Sequence, residues 1–206
     1  ASVPLSVSFN TLSNHAICTV GFVSIAVVAC WVLCLPRTVQ FVSQSGIPST
    51  ISIMAAALIV MIGLGVAQPS QAPPGWEKEI EIIGHPTFRQ GLNACLKICY
   101  AYAGNISFVS YMAEMKNPSK DFPMALACLE VFSITLYTIV AIAIYCLAGE
   151  YTTSPALGSA PKIPAMAAYG VVLPAVFATA MAFGHTGIKY MYVVVMRAIK
   201  ATDQVT

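Results

Sequence analysis

The sequence predicts an all-α membrane protein with five membrane-crossing helices, and three observations predict it. Of its 206 residues, 58% are hydrophobic and only 9% are charged, whereas soluble domains average about 25% charged residues and about 45–50% apolar ones. The charges fall in clusters that divide the chain into long apolar runs, and about 18 such residues suffice for a helix to cross a bilayer. One of those runs carries a Gly-Asn pair in its middle, Gly104 and Asn105. Non-helical backbone at membrane depth is tolerated only where protein or a water-filled cavity receives it. The pair therefore predicts a broken helix whose main-chain groups face a ligand, the pattern of a solute carrier.

The first span is expected over residues 15–35, ending at Pro36-Arg37. A polar hinge, TVQFVSQSG, then leads to the second at 47–67. The loop QPSQAPPGWEKEIEIIGHPTF is too rich in proline and acid to sit in lipid. The third span covers 88–115 and contains the break; a charged turn closed by Pro118 follows it. The fourth covers 122–149, with Pro123 in its first turn, where proline is tolerated. After the loop EYTTSPALGSAPK the fifth covers 163–196. Wound as one helix it would be about 50 Å long, more than a bilayer core, so it must tilt, kink at Pro174 or project beyond the membrane.

Five crossings put the chain's ends on opposite sides. One side collects Arg37, Lys116, Lys120, Lys189, Arg197 and Lys200; the other has Lys78, Arg89 and Lys162 beside Glu77, Glu79 and Glu81. The positive-inside rule assigns the first side to the cytoplasm and the two long loops to the outside or lumen.

Other function classes find little support. The net charge of +2 is spread out, with no basic run to suit nucleic acid. His15, His85 and His185 share no ligand spacing, so no metal is expected. No Ser/His/Asp set, P-loop or GxGxxG appears, which argues against an enzyme and against a cofactor. The seven cysteines (18, 30, 34, 95, 99, 128, 146) are odd in number and include CxxxC at 30–34 and 95–99, a helix-face spacing. They read as small packing residues. The first residues, ASVPLSVSFN, lack the positive charge that precedes a signal peptide's apolar run.

Small residues form stripes that let membrane helices approach closely: Gly91, Cys95, Cys99, Ala103 and Ser107 in the third span, and Ala178, Ala180, Ala182, Gly184 and Gly187 in the fifth. Lys97, about two turns before the break, either snorkels to the outer interface or faces a cavity. Glu130 is a proton-relay carboxylate or a partner for a neighbouring helix. Glu114, Lys116, Lys120 and Asp121 read as an interfacial cluster holding the turn. Asn105-Ile-Ser107 matches a glycosylation sequon but lies too deep for modification.

The chain resembles the amino acid/auxin permease family, most closely its fungal neutral amino acid permeases. The residues that carry the resemblance are FNTLSNHAICT at 9–19, LPRT at 35–38 and AYAGNISFVSYMAEMKNPSKDFPMAL at 101–126. YCLAGEYTTSPALGSAP at 145–161 and GHTGIKYMYV at 184–193 extend it over nearly the whole chain. The resemblance implies an eleven-helix secondary transporter with two five-helix inverted repeats, a leucine-transporter-like fold of which this chain holds helices four to eight. It implies a partial permease domain over 1–206, a fragment inactive by itself that needs the missing helices of the same permease.

For the intact protein the resemblance implies proton-coupled transport of a neutral amino acid, at the plasma membrane or alternatively the vacuolar one. Main-chain groups of Ala103, Gly104 and Asn105 would meet the substrate's charged ends, Tyr100, Tyr102 and Phe108 would flank its side chain, and Thr179 would lie at the coupling-ion site. Two positions depart from the family's pattern: Asn105 stands where members often carry His, and Lys97 is unusual at its place. A non-transporting amino acid sensor and a five-helix scaffold or regulator are the alternatives. A scaffold would be indifferent to leucine at Gly104 or Asn105.

Overall fold

The computed structural model describes residues 2–13, 18–34, 39–73, 75–78, 80–81, 84–113 and 115–199. Expectations resting on His15, Pro36-Arg37, Glu114 and Lys200 lie outside the described residues. Among those described, every regular element is helical: α1 (Ser2–Leu12), α2 (Thr19–Leu33), α3 (Val39–Val66), α4 (Phe88–Ala101), α5 (Phe108–Met112), α6 (Pro118–Ala148), α7 (Lys162–Val171) and α8 (Leu173–Ala198). Short 3-10 stretches occupy Ala103–Ser107, Gly149–Tyr151 and Ala156–Ser159.

The protein is an all-helical membrane protein. Gln44–Val66, Pro118–Tyr151 and Lys162–Ala198 are long and apolar enough to cross a membrane, while Thr19–Leu33 is apolar but shorter. Hydroxyls within these helices bond back to the carbonyl one turn earlier, as Thr50 does to Gly46 at 3.0 Å and Thr135 to Val131 at 2.7 Å. A polar side chain satisfied in this way can enter lipid without a stranded donor.

Several boundaries differ from the expectation. The start of the chain folds as α1, which the span reading did not anticipate. Thr11 Oγ1 donates to Val7 O at 2.9 Å, and Leu5 is fully buried. The supposed hinge before Pro48 is helical, and Pro48 lies inside α3. Ser and Gln only weakly disfavour a helix, and a membrane helix tolerates an internal proline when neighbours re-satisfy the freed carbonyl. Pro118 opens α6 in place of closing the turn; its missing N–H is one that a helix start leaves unpaired anyway. Pro123 thereby falls in the second turn of α6. The fifth apolar run divides at Val172, with Pro174 in the first turn of α8.

The chain divides into two compact units, Ala1–Val60 with Lys162–Thr206, and Met61–Pro161. In the first unit α1 packs against α2, α7 and α8, and α2 also packs against α8. Phe9 and Phe22 bring their rings to 6.2 Å across the α1–α2 contact. The core is made largely of alanine: Ala26, Ala56, Ala165, Ala168, Ala175, Ala178 and Ala180 are buried. Small side chains allow close backbone approach, the main source of packing energy where no hydrophobic effect separates helix from lipid. Ser52 Oγ, buried on α3, donates to Val171 O where α7 ends.

The second unit joins the end of α3 to α4, α5, α6 and two long loops. The loops are stitched to each other: Ser70 donates from its backbone N–H to Ser159 O at 3.1 Å and from Oγ to Gly158 O at 3.0 Å. Trp76 meets Tyr151 edge to face at 5.6 Å. Most of α6 is uncovered within the chain, with Val131, Ile134, Ile139 and Ile142 exposed, the surface a helix presents to lipid or to further helices.

Candidate functional site

Thr87 starts α4 with a capping box, its backbone N–H donating to the Gln90 Oε1 at 2.9 Å. The α-helix then runs for 14 residues, about 21 Å, and stops at Ala101. Tyr102 takes φ −96° and ψ 8°, between the α and extended regions. From Ala103 to Ser107 the backbone winds as a 3-10 helix, and α5 adds one further α turn or so. Gly and Asn are poor helix formers, and a 3-10 stretch within a helix has weaker hydrogen bonds and often marks a functional hinge. The interruption falls at Gly104 and Asn105, both exposed. Gly104 is not held there by crowding, because a Cβ at that position would meet nothing within 4 Å.

Beside the break lies a groove of about 880 Å³, walled by α4, α6 and the loop that follows. Tyr102 contributes to it, and its ring meets Tyr137 edge to face at 5.7 Å. Of the residues the sequence nominates for substrate, Tyr102 alone lines this groove. Tyr100 is 82% exposed. Phe108 packs edge to face on Phe122 at 5.5 Å. Ala103 is half-buried, and Gly104 and Asn105 face outward. Ser107, the last of the small stripe in this span, is buried.

Lys97 stands on α4 beside the groove. It lines the groove, and its Nζ donates to Ser154 Oγ at 3.2 Å, reaching the loop assigned to the outer side. Sequence reasoning missed the opposite wall: Tyr137, Thr138, Ala141, Ile144 and Tyr145 of α6. These recur at helical spacing, which is a legible signal. Tyr145 also donates from its hydroxyl to Glu81 O at 2.7 Å, tying α6 to the acidic loop.

Thr179 belongs to the first unit, on α8, where its hydroxyl donates to Ala175 O at 2.8 Å. Glu130 is half-buried on α6, and His85 is exposed. Cysteine packing departs from the expectation: Cys18, Cys95, Cys99, Cys128 and Cys146 are exposed, and only Cys30 and Cys34 are partly covered. Four of these exposed thiols, all but that of Cys18, stand on α4 and α6, faces that no described residue covers. Among the described residues no three His, Cys, Asp or Glu side chains are grouped as for a metal.

Comparison with known proteins supplies a family. A "Transmembrane transporter" of Fusarium pseudograminearum is 28% identical over 205 residues, 96% of this chain and 42% of its own length. An "N amino acid transport system protein" of Neurospora crassa is 30% identical over 174 residues, 81% of this chain and 36% of its own length. A "Transmembrane transporter" of Gibberella moniliformis is 26% identical over 198 residues, covering 95% and 42%. The chain thus spans about two fifths of the length of these relatives. No solved structure matches it significantly. The amino acid permease model matches residues 3–201, nearly the entire length, and the chain belongs to the amino acid permease family.

Proposed function

We propose that these helices serve a secondary active transporter that carries a neutral amino acid across the plasma membrane together with protons. The observation that carries the reading is the change from α to 3-10 winding at Ala103–Ser107, within an apolar run. Main-chain groups of Ala103, Gly104 and Asn105 meet the zwitterion's charged ends. Tyr102 walls the approach from the groove, and Tyr100 and Phe108 complete the side-chain pocket. Further helices of the same permease close the cradle over the exposed faces of α4 and α6, making five crossings here part of a larger bundle. Alternation comes from the rocking of one set of helices against another around a fixed site.

The test is uptake of radiolabelled neutral amino acids by yeast cells deprived of their own permeases, expressing the gene's full open reading frame. Gly104→Leu is expected to lower uptake about tenfold or more. Protein abundance at the membrane is measured in parallel, so that the loss is read per molecule of transporter. Gly104→Ala should retain most of the activity. Unchanged uptake in Gly104→Leu would remove the substrate role of the break.

A further inference from the structure

We infer that Lys97 is a charge filter for the substrate, a fixed cation that admits amino acids with neutral or anionic side chains and turns away cationic ones. The inference rests on the proposed amino acid transport and names the substrate class that the same site rejects. Lys97 precedes the start of the 3-10 stretch at Ala103 by less than two turns of α4, about 9 Å along the axis. Long side chains on a helix lean toward its N-terminus, here away from the break. The ammonium is held in that direction, because Nζ donates to Ser154 Oγ at 3.2 Å in the loop after α6. The groove joins the two places: Lys97, Thr152 and Ala156 line it at the loop, and Ala101 and Tyr102 line it next to the break. Among the described residues that line the groove, Lys97 alone carries a charge.

Nothing nearby cancels that charge. Ser154 is neutral, and among the described residues no carboxylate pairs with Lys97. Glu81 and Glu150 line a different pocket, which shares only Tyr145 with the groove among the described residues. The groove walls are largely apolar, with Ile98, Ala101, Val140, Ala141 and Ile144 among them. Such walls decide how far the charge is felt. At an effective dielectric constant of about 20, two like charges about 10 Å apart repel enough to weaken association about tenfold. In bulk water at physiological salt the same pair would differ by about twofold or less. An amino acid whose α-amino and α-carboxylate groups rest on the main chain of Ala103–Asn105 can extend its side chain into the groove. A guanidinium or ammonium at its tip then approaches a like charge. A carboxylate there approaches an ammonium that has three N–H donors, of which Ser154 takes one. An uncharged side chain feels neither effect to first order.

The experiment expresses the full open reading frame in yeast cells deprived of their own permeases and measures uptake of labelled leucine, glutamate and arginine. Wild type is compared with Lys97→Arg, which keeps the charge, Lys97→Met, which keeps the stem without it, and Lys97→Glu, which reverses it. Wild type is expected to take up leucine and glutamate and to discriminate against arginine. In Lys97→Met the ratio of arginine to leucine uptake should rise about tenfold, and the ratio of glutamate to leucine should fall. Lys97→Glu should shift both ratios further in the same directions, and Lys97→Arg should keep those of wild type. A gain for arginine cannot come from misfolding, and each ratio is independent of how much protein reaches the membrane. Unchanged ratios in Lys97→Met and Lys97→Glu overturn the inference, as does ready arginine uptake by wild type. Loss of all uptake in the three variants also overturns it, since Lys97 would then serve the fold. Failure of wild type to take up any amino acid would instead overturn the transport reading itself.

Discussion

A side chain at position 184 would need the volume that the Cys34 thiol occupies, so glycine there follows from the close approach of α2 to α8. Gly184→Ala is expected to destabilise the protein by about 1–3 kcal/mol through overpacking. The measurement is thermal unfolding in detergent. Adding Cys34→Ala should restore most of the loss, since it removes the colliding sulfur, and a double-mutant cycle reads this coupling directly. No recovery would mean that the glycine serves the helix backbone and not the contact. At this scale the sequence was informative where a residue's chemistry is local. Gly104 and Asn105 disfavour an α-helix wherever they stand, so the break was legible. Tyr137 and Tyr145 became site residues only because α6 turns them toward α4. Phe108, nominated for substrate, also meets the Phe122 ring edge to face, a contact between helices that no local pattern announces.

Among the elements, a buried hydroxyl, that of Ser52, ties α3 to the Val171 carbonyl where α7 ends. Ser52→Ala leaves the Val171 carbonyl without that donor and is expected to cost about 1 kcal/mol, the scale of side-chain hydrogen bonds in membrane proteins. Ser52→Thr, which keeps a hydroxyl, should cost less. Equal unfolding temperatures for wild type and Ser52→Ala would show that the bond contributes nothing net. Apolar run length pointed to the stretches that are long and apolar enough to cross a membrane, Gln44–Val66, Pro118–Tyr151 and Lys162–Ala198, because hydropathy summed over about twenty residues is insensitive to detail. Helix ends were less legible. Pro118 reads as a turn residue or as a first helical residue from the same local sequence, and neighbouring chain decides which. Ser and Gln before Pro48 read as a hinge yet wind as helix, since neither residue type opposes helical winding strongly.

For the whole molecule, the charge distribution makes a topological prediction. By the positive-inside rule the loops carrying Lys78 and Ser154 are expected on the outer side, and the turn carrying Lys120 on the cytoplasmic side. In a background where the native cysteines are replaced, Lys78→Cys should react with a membrane-impermeant maleimide in intact cells. Lys120→Cys should react only after permeabilisation. The reverse pattern would invert the orientation, and labelling of both from outside would mean an even number of crossings between them. The hydrogen bonds from Ser70 to Gly158 and Ser159 hold together the loops that follow the second and fourth expected spans.

The sequence by itself determined that the chain is helical and lives in lipid, where its apolar runs lie, which side is favoured by its lysines and arginines, and where one helix must falter. Each of these depends on composition within a window of some twenty residues or fewer. Tertiary structure alone decided that Cys34 sits against Gly184, that His185 Nε2 is enclosed with no hydrogen-bond partner among the described residues, and that Lys97, Tyr102 and Tyr137 share a groove. Those outcomes depend on how helices distant in sequence are rotated about their axes, and a rotation of a few tens of degrees exchanges a packed face for an open one while leaving every local pattern unchanged.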